Sequence, residues 1–264
     1  MYTGVYEIMK ACVITIAGVS SRFNEGFSEN ERCHKAIFHY GDKTNTLLFH
    51  LLKKCLNCDV IVLVCGYLYD DIRDYCEYLP DEMRCKIKTV YNLHYEDLAS
   101  GYSLYMGLDY LFENYSDIDA VLFIEGDLDI DEKSFRRIAL SGRNVLTYNY
   151  DPIFAKKAVA LYKNADCRYK YAFNSNHGLL HIDESFSEIY NSGQIWQFVN
   201  MKRLKYASDK FYIEDKGDTN LRIISNYIDL SSKDEFDLIG IKCWTNCNTR
   251  EDYDMILKRW ENEE

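Results

Sequence analysis

The sequence has 264 residues, of which 47% are hydrophobic and 28% charged, and its formal net charge is −11. The composition is that of an ordinary globular protein, and the length suits one α/β domain. The acidic excess argues against a nucleic-acid partner, because nucleic-acid binding depends largely on Lys and Arg that neutralise phosphates. A nucleoside triphosphate remains possible if a metal ion and local cations reverse the field at the site.

Hydropathy gives no sign of a membrane partner. No apolar run approaches the roughly 20 residues that a membrane span requires. The first residues lack the basic and long apolar regions of a signal peptide, so we expect a cytoplasmic protein. The sequence leaves the oligomeric state open.

Ten cysteines raise the question of a zinc site. Cys55 and Cys58 form a C-x-x-C pair, and Cys243 and Cys247 form a looser one. However, Cys55 belongs to an apolar helical face, and Cys58 opens a predicted strand. We therefore interpret the cysteines as reduced thiols that pack in the core.

The first half of the chain alternates between apolar strand patterns and amphipathic helices. This alternation predicts a mostly parallel sheet in a three-layer α/β/α domain, whose ligands lie at the carboxyl ends of the strands. Strands are predicted at Lys10–Ala17, Asp59–Cys65, Lys86–Tyr91 and Ala120–Ile124, and helices at Leu48–Cys55, Asp70–Leu79 and Leu104–Tyr115.

The second half has a different pattern, with short strand-like runs between about Val145 and Asp183. These runs predict a smaller antiparallel lobe. The last helix has the clearest signals, since Thr249 caps it and Asp252 is the capping-box partner. Its apolar stripe is Tyr253, Ile256, Leu257 and Trp260. Further strands are predicted at Ala158–Lys163, Tyr169–Phe173, Gly178–Ile182 and Phe236–Trp244, and helices at Ser185–Val199 and Thr219–Ile228.

The first candidate site follows the first strand, which ends in Ala17-Gly18-Val19-Ser20-Ser21-Arg22. Gly18 lets the backbone approach a ligand, and successive amides in such a loop can bind phosphate oxygens. Arg22 offers a planar fork for oxygen pairs, and Lys35 follows as a movable point charge. The same pattern also fits an ordinary loop with two exposed cations. It is not a P-loop, because the pattern G-x-x-x-x-G-K-[ST] does not occur, and it is not a dinucleotide fingerprint, because G-x-G-x-x-G does not occur.

Two later strand ends carry further candidates. Asp127 follows a buried strand, where a carboxylate can coordinate Mg²⁺ while the ion keeps waters and phosphate oxygens as other ligands. The alternative is an acidic turn, and Asp131 fits that alternative as the cap of the next helix. Asn248 precedes the cap of the last helix, where an Asn taken alone is usually a turn residue.

Together, and in this order along the chain, the three elements resemble the sugar-phosphate nucleotidyltransferase superfamily over about Met9 to Trp260. The resemblance implies a glycosyltransferase-A-like fold and a Mg²⁺-dependent enzyme. It implies that Arg22 and Lys35 hold the triphosphate and that Asp127 and Asn248 bind Mg²⁺. It divides the single domain, 1–264, into a nucleotide-binding half at about 9–143, an acceptor-binding lobe at about 144–235 and a C-terminal strand and helix at 236–264. The implied nucleotide contacts are Ala17, Gly18, Ser20, Gly101, Ser103 and Asp127.

Within the superfamily, Val64-Cys65-Gly66-Tyr67-Leu68 and Gly101-Tyr102-Ser103-Leu104-Tyr105 look like segments of the phosphocholine cytidylyltransferase branch. Relatives in that branch cytidylylate 2-aminoethylphosphonate. The resemblance therefore implies CTP as the nucleotide and a small phosphorylated or phosphonate acceptor. His34 departs from the pattern, because it stands where the family usually has Pro, and it could loosen the pose of Lys35.

The implied reaction is in-line attack by an acceptor oxygen on the α-phosphorus of the nucleotide, with release of pyrophosphate. Tyr150, Asp151, Tyr171 and Trp196 are the candidates for a cation-binding aromatic box around the acceptor. Hydroxyl-directed contacts from Asn174, Asn176 and His177 would instead suit a sugar phosphate. Three alternatives stay open: a sugar-1-phosphate nucleotidyltransferase, a metal-dependent glycosyltransferase that uses Asp127-Leu128-Asp129 as a D-x-D motif, and a catalytically silent nucleotide-binding protein.

Overall fold

A mixed β-sheet forms the centre of the protein, whose computed structural model describes residues 8–154, 159–173 and 179–263. The strands are β1 (Met9–Ile16), β2 (Val60–Cys65), β3 (Ile87–Tyr91), β4 (Ile118–Glu125), β5 (Leu128–Ile130), β6 (Asn144–Asn149), β7 (Val159–Asn164), β8 (Tyr169–Phe173), β9 (Phe186–Phe198), β10 (Phe236–Ile241) and β11 (Trp244–Asn246). The helices are α1 (Leu47–Lys54), α2 (Tyr69–Glu77), α3 (Asp81–Arg84), α4 (Ser100–Asn114), α5 (Glu132–Ala139), α6 (Met201–Glu214), α7 (Asn220–Asp229) and α8 (Arg250–Glu263).

The main sheet has the strand order β10-β6-β9-β4-β1-β2-β3, and β7 pairs with β9 and β8. β1 runs parallel to β2 and β4, β2 to β3, and β6 to β10, whereas β9 is antiparallel to β4 and β6. The prediction of a mostly parallel sheet is therefore confirmed. Because β1 and β4 are parallel, with Thr15 opposite Glu125, their carboxyl ends meet at the same edge.

Successive residues of the central strands point into two hydrophobic cores, one on each face of the sheet. In β1, Cys12, Ile14 and Ile16 lie in one core, and Ala11 and Val13 lie in the other. Side chains of α1, α2 and α5 complete the first core, and those of α4, α6 and α7 complete the second. Burial on both faces explains why β2 has no polar alternation. The predicted three-layer α/β/α arrangement is confirmed.

The C-terminal helix α8 fixes the position of the preceding turn. The Thr249 hydroxyl accepts from the Asp252 amide, and the Asp252 carboxylate accepts from the Thr249 amide, which confirms the predicted capping box. Tyr253, Ile256 and Trp260 pack against a small cluster that includes Phe23 and Leu47. This helix therefore connects the late turn to the loop that follows β1.

The smaller lobe is partly as predicted. β7 and β8 form an antiparallel pair, which confirms the strands predicted at Ala158–Lys163 and Tyr169–Phe173, although residue 158 lies outside the described residues. The strand predicted at Gly178–Ile182 is not formed over residues 179–182, and residue 178 lies outside the described part. The C-terminal strand predicted at Phe236–Trp244 is divided into β10 and β11.

The helix predicted at Ser185–Val199 is wrong, because this segment forms β9. β9 pairs with β4, β6 and β7, and pairing with three strands outweighs the local helical spacing of its apolar residues. Helix α6 follows directly and is not predicted from the sequence pattern, whereas α7 confirms the helix predicted at Thr219–Ile228. None of the helices in the described ranges is long and apolar enough to cross a membrane.

The thiols of Cys55 and Cys58 lie in the core, as predicted. The sulfur of Cys55 is 3.7 Å from the sulfur of Cys12, which is also buried. Burial raises the pKa of the Cys12 thiol well above its usual range, which keeps this thiol protonated and unreactive.

Candidate active site at the carboxyl edge of the sheet

Lys35 and Asp127 form an ion pair where the carboxyl ends of β1 and β4 meet. The ammonium nitrogen of Lys35 lies 2.8 Å from Oδ2 of Asp127, and their side chains are 17% and 22% exposed. The other carboxylate oxygen, Oδ1, is buried and has no hydrogen-bond partner among the described residues. A buried carboxylate oxygen without a partner is costly, so this arrangement favours a bound cation or donor at Asp127.

His34 holds the backbone of Lys35 in place. Its imidazole is 2% exposed, accepts from the Ala36 amide at Nδ1 over 3.2 Å and donates from Nε2 to the Ile16 carbonyl over 2.8 Å. Because one ring nitrogen accepts and the other donates, the ring is neutral, and burial lowers its pKa to about 4. The expectation that His34 loosens Lys35 is therefore wrong, since the imidazole ties the lysine turn to the end of β1.

Arg22 and Asn248 approach each other from opposite ends of the chain. A guanidinium nitrogen of Arg22 donates to Oδ1 of Asn248 over 2.7 Å. The loop that carries Arg22 is fixed by Arg250, which donates to the Phe23 carbonyl and lies over the ring of Phe38, 3.7 Å from its centroid. The structure thus brings the four residues expected to hold triphosphate and metal to one edge of the sheet, as the two contacts Lys35–Asp127 and Arg22–Asn248.

A cavity of about 220 Å³ opens beside the Lys35–Asp127 pair. Of the six predicted nucleotide contacts, four line it: Ala17, Gly18, Ser103 and Asp127, and Lys35 lines it as well. The remaining wall consists largely of Tyr95, Leu98, Ala99, Ser100, Glu125 and Asn220.

Ser20 and Gly101 do not line this cavity. The hydroxyl of Ser20 is turned inward and accepts from the Lys35 amide over 3.3 Å. Gly101 packs against the α6–α7 region, because a Cβ built on it would lie 2.5 Å from both the Asp218 carbonyl and the Phe211 ring. In this structure these two residues shape the site by packing, and direct contact between them and a nucleotide stays a prediction.

Glu125 is a site residue that the sequence analysis missed. Its Oε1 accepts from the side-chain amide of Asn220 over 2.8 Å, and its Oε2 accepts from that of Gln194 over 2.9 Å. Burial, followed by the nearby charge of Asp127, raises the pKa of Glu125 to about 8. Glu125 is the last residue of β4, two residues before Asp127, and an acidic residue at the end of a buried strand is a signal that could have identified it. No local signal points to Asn220 or Gln194.

A second cavity of about 470 Å³ lies on the other side of Arg22 and Asn248. Its other lining residues are Asp151, Pro152, Phe154, Val159, Asn191, Gln194, Trp244 and Asn246. Of the residues predicted to form an aromatic box, the cavity contains Asp151 alone.

The predicted aromatic box is wrong for its three rings. Trp196 is fully buried, stacks on Phe123 and donates from its indole to the Tyr171 hydroxyl over 2.8 Å, so both side chains belong to the core. Tyr150 is exposed, and its hydroxyl lies 3.4 Å from that of Tyr148. The alternative sugar contacts Asn174, Asn176 and His177 lie outside the described residues.

The residues at the carboxyl edge fit a hard divalent cation. Two buried side-chain oxygens in the described part of the site lack a hydrogen-bond partner, Oδ1 of Asp127 and Oδ1 of Asn246. Carboxylate and amide oxygens are the ligands that Mg²⁺ accepts in proteins. Asn248 is the nearby predicted ligand, and its Oδ1 accepts from Arg22 in this structure.

Asp129, the second acid of the possible D-x-D motif, does not face the site. Its carboxylate accepts from the indole of Trp260 over 3.1 Å and is also paired with Arg259, and the residue is 3% exposed. This pair anchors α8, which removes Asp129 from any metal site. The structure therefore gives no support to the glycosyltransferase alternative through this motif.

Comparison with known proteins decides the family. A family described as "Domain of unknown function (DUF6564)" matches residues 31–260. The chain belongs to this family. No curated protein sequence matches the chain.

Solved structures show the same fold at low sequence identity. The CTP:phosphocholine cytidylyltransferase of Streptococcus pneumoniae is 16% identical with a TM-score of 0.62, over 96% of this chain and 100% of that one. The inositol-1-phosphate CTP transferase of T. maritima is 15% identical with a TM-score of 0.65, over 95% and 96%. A UDP-glucose pyrophosphorylase complexed with UDP-glucose is 11% identical with a TM-score of 0.69, over 97% and 100%. These similarities establish a nucleotidyltransferase fold, which the resemblance in sequence implied.

Proposed function

We propose that this protein is a Mg²⁺-dependent nucleotidyltransferase that moves CMP from CTP to a small phosphorylated alcohol or phosphonate and releases pyrophosphate. The observation that carries the proposal is the Lys35–Asp127 pair, whose second carboxylate oxygen is buried without a partner beside a cavity. Arg22 supplies a second cation at the same edge. Two cationic side chains beside a carboxylate with a free oxygen are what a nucleoside triphosphate and its metal ion require.

The protein groups have separate tasks in this mechanism. Asp127 and Asn246, with Asn248, would hold Mg²⁺, which neutralises phosphate charge when bound. Lys35 stabilises charge at the α-phosphate, and Arg22 stabilises the departing pyrophosphate. The acceptor oxygen needs no general base, because the second pKa of a phosphate monoester is about 6 and the group is largely ionised at neutral pH. Catalysis then consists of positioning and charge neutralisation.

CTP is supported by fold similarity alone. Two of the similar structures described above use CTP by name, and a third is complexed with UDP-glucose. The 220 Å³ cavity offers both apolar and polar groups for a nucleoside, among them Leu98, Tyr95 and the Ser103 hydroxyl. A comparison of the four NTPs tests the choice of base directly.

The second cavity supports an acceptor with a cationic amine. It contains the Asp151 carboxylate together with the aromatic rings of Phe154 and Trp244. An aromatic ring next to a cation contributes about 0.5–2 kcal/mol, and a carboxylate adds opposite charge. Phosphocholine, phosphoethanolamine and 2-aminoethylphosphonate are therefore the proposed acceptors.

A sugar 1-phosphate is the second candidate acceptor. Three side-chain amides line the same cavity, those of Asn191, Gln194 and Asn246. Amide groups both donate and accept, which suits recognition of sugar hydroxyls. Nucleotidyl transfer itself is common to both candidates.

The deciding experiment measures pyrophosphate release with each NTP, in the presence of Mg²⁺, against a panel of amine-bearing acceptors and hexose 1-phosphates. We expect the highest kcat/KM for CTP with an amine-bearing acceptor. A preference for hexose 1-phosphates would replace the acceptor assignment and retain nucleotidyl transfer. Absence of pyrophosphate release across the panel, from folded protein that binds no NTP, would refute the proposed function.

A further inference from the structure

Gln194 has an unusual backbone conformation in the middle of β9. Its φ is +56°, in the left-handed region that residues with a side chain rarely adopt. It lies where the pairing of β9 with β6 shifts register, between the partners of Leu146 and Tyr148. The preceding residue, Gly193, approaches β6 so closely that a Cβ would lie 2.5 Å from the Thr147 hydroxyl oxygen. The strand is thus forced into a local irregularity that turns the Gln194 side chain away from the regular pleat.

The side-chain amide of Gln194 connects two groups that come from distant parts of the chain. Its Nε2 donates to Oε2 of Glu125 over 2.9 Å. Its Oε1 accepts from Nδ2 of Asn246 over 3.4 Å. Glu125 lines the 220 Å³ cavity, whereas Asn246 and Gln194 line the 470 Å³ cavity. Gln194 is therefore the link between the walls of the two cavities.

The hydrogen bonds continue beyond this link. The other oxygen of Glu125 accepts from the side-chain amide of Asn220 over 2.8 Å, and the backbone N–H of Asn220 donates to the Ser100 hydroxyl over 3.2 Å. The series of hydrogen bonds thus begins at Asn246 in the 470 Å³ cavity and passes through Gln194, Glu125 and Asn220. It ends at Ser100, the first residue of α4. Such polar chains fix the relative positions of their members when each group is paired.

The chemistry of the link requires an amide. In this structure each oxygen of Glu125 accepts a hydrogen bond and Asn246 donates one, so the residue between them donates on one side and accepts on the other. Glutamine does both, whereas an aliphatic side chain would do neither, and a carboxylate would lose the N–H donor and add a negative charge beside Glu125 and Asp127. The irregular backbone brings this one side chain to the position where both partners lie within reach.

We propose that Gln194 is a positioning residue. It sets the 470 Å³ cavity, where the acceptor would bind, relative to the 220 Å³ cavity, where the nucleotide would bind, and thereby aligns the acceptor oxygen with the α-phosphorus. The inference rests on the proposed nucleotidyl transfer. Displacement of reacting groups by about 1 Å can reduce turnover about a hundredfold. Loss of the link is therefore expected to lower kcat without preventing nucleotide binding.

The test compares Gln194→Leu, Gln194→Glu, Gln194→Asn and Gln194→Gly with Ser187→Ala, a surface control on the same strand. We expect kcat to fall about 10- to 100-fold in the Leu, Glu and Gly variants, with the Kd for CTP within about twofold of wild type. Asparagine tolerates the left-handed region and keeps the amide, so Gln194→Asn should recover part of the activity. The glycine variant loses the same hydrogen bonds as the leucine variant but relieves the backbone, so it should melt above Gln194→Leu.

The outcomes separate this proposal from the proposed function. Loss of kcat in a folded Gln194→Gly protein that melts above Gln194→Leu and keeps the Kd for CTP supports a positioning role, because a purely structural residue would lose activity in step with stability. Unchanged kcat and acceptor KM in the Leu and Gly variants would overturn the role of Gln194 and leave nucleotidyl transfer in place. The positioning role would also be overturned if all four variants lost CTP binding and thermal stability to the same extent. A wild-type protein that releases no pyrophosphate with any pair of substrates would overturn the proposed function and this inference together.

Discussion

The two walls of the candidate site are built in different ways. The β1–β4 wall, with Gly18, Lys35, Glu125 and Asp127, is formed by two adjacent parallel strands and the loops that follow them. The β9–β11 wall, with Asp151, Gln194, Trp244 and Asn246, is assembled from segments more than forty residues apart, one of them an antiparallel strand with a left-handed residue.

This difference has a physical cause. Parallel strands end at the same edge of a sheet, so residues just after β1 and β4 meet wherever the sheet forms. The β9–β11 wall depends on the register of β9 and on a local irregularity, which no short-range rule fixes. In the proposed function the first wall holds the nucleotide and the metal ion. The second wall holds the acceptor in that proposal, and the two walls can be tested separately.

The largest expected effect comes from removing the charges of the β1–β4 wall. We expect Lys35→Ala and Asp127→Asn each to lower kcat about 10²–10³-fold, because a preorganised charge-stabilising group has that magnitude. Pyrophosphate release from folded variants measures the effect, and Lys53→Ala and Asp70→Asn serve as controls on exposed helix residues. Near-normal turnover in either site variant would show that the ion pair is structural.

The stability of the same wall should depend on pH through His34. Its pKa of about 4 in the folded protein lies below the ordinary histidine value of 6.5, so the unfolded chain binds more protons between these pH values. Stability is then fully present above pH 6.5 and falls as the pH drops toward 4, by about 3 kcal/mol for this residue. Urea unfolding at several pH values, compared between wild type and His34→Asn, measures the contribution. An identical pH dependence in the two proteins would contradict the role of His34.

Changes in the β9–β11 wall should alter recognition of the acceptor and leave nucleotide binding unaffected. We expect Asp151→Asn and Phe154→Leu each to lower kcat/KM for amine-bearing acceptors about fivefold, since the loss per contact is about 1 kcal/mol. Tyr150→Leu is a matched control, because Tyr150 is exposed but does not line the cavity. If all three variants behave alike with an amine-bearing acceptor, the second cavity is not the amine site.

The smallest effect is expected at the boundary between the walls. Asn246→Ala removes an unpartnered buried oxygen, and we expect it to weaken Mn²⁺ binding severalfold, as measured by electron paramagnetic resonance without any turnover. The Mg²⁺ or Mn²⁺ requirement should persist, with no need for zinc, because the proposed ligands are oxygens. Unchanged Mn²⁺ affinity would leave Asp127 and Asn248 as the proposed ligands.

The sequence was most informative where a local rule determines the structure. The apolar runs of β1, β2 and β4 predicted the parallel sheet, because strands covered on both faces must be apolar throughout. The capping box at Thr249 and Asp252 predicted the start of α8. Asp127 was identified because it directly follows a buried strand, whereas Lys35, beyond the loop that follows β1, was identified through the family resemblance.

Tertiary structure decided the rest. The aromatic side chains of Tyr171 and Trp196 suit a ligand box equally well as a core, and their placement in the core followed from the pairing of β9 with β4 and β6. The same pairing overrode the predicted helix at Ser185–Val199. Residue types and periodicity determine which face of an element is apolar, whereas the register between distant strands determines which polar groups meet. That register depends on packing over the whole sheet, and for this reason Gln194 and Asn220 became site residues only in the folded protein.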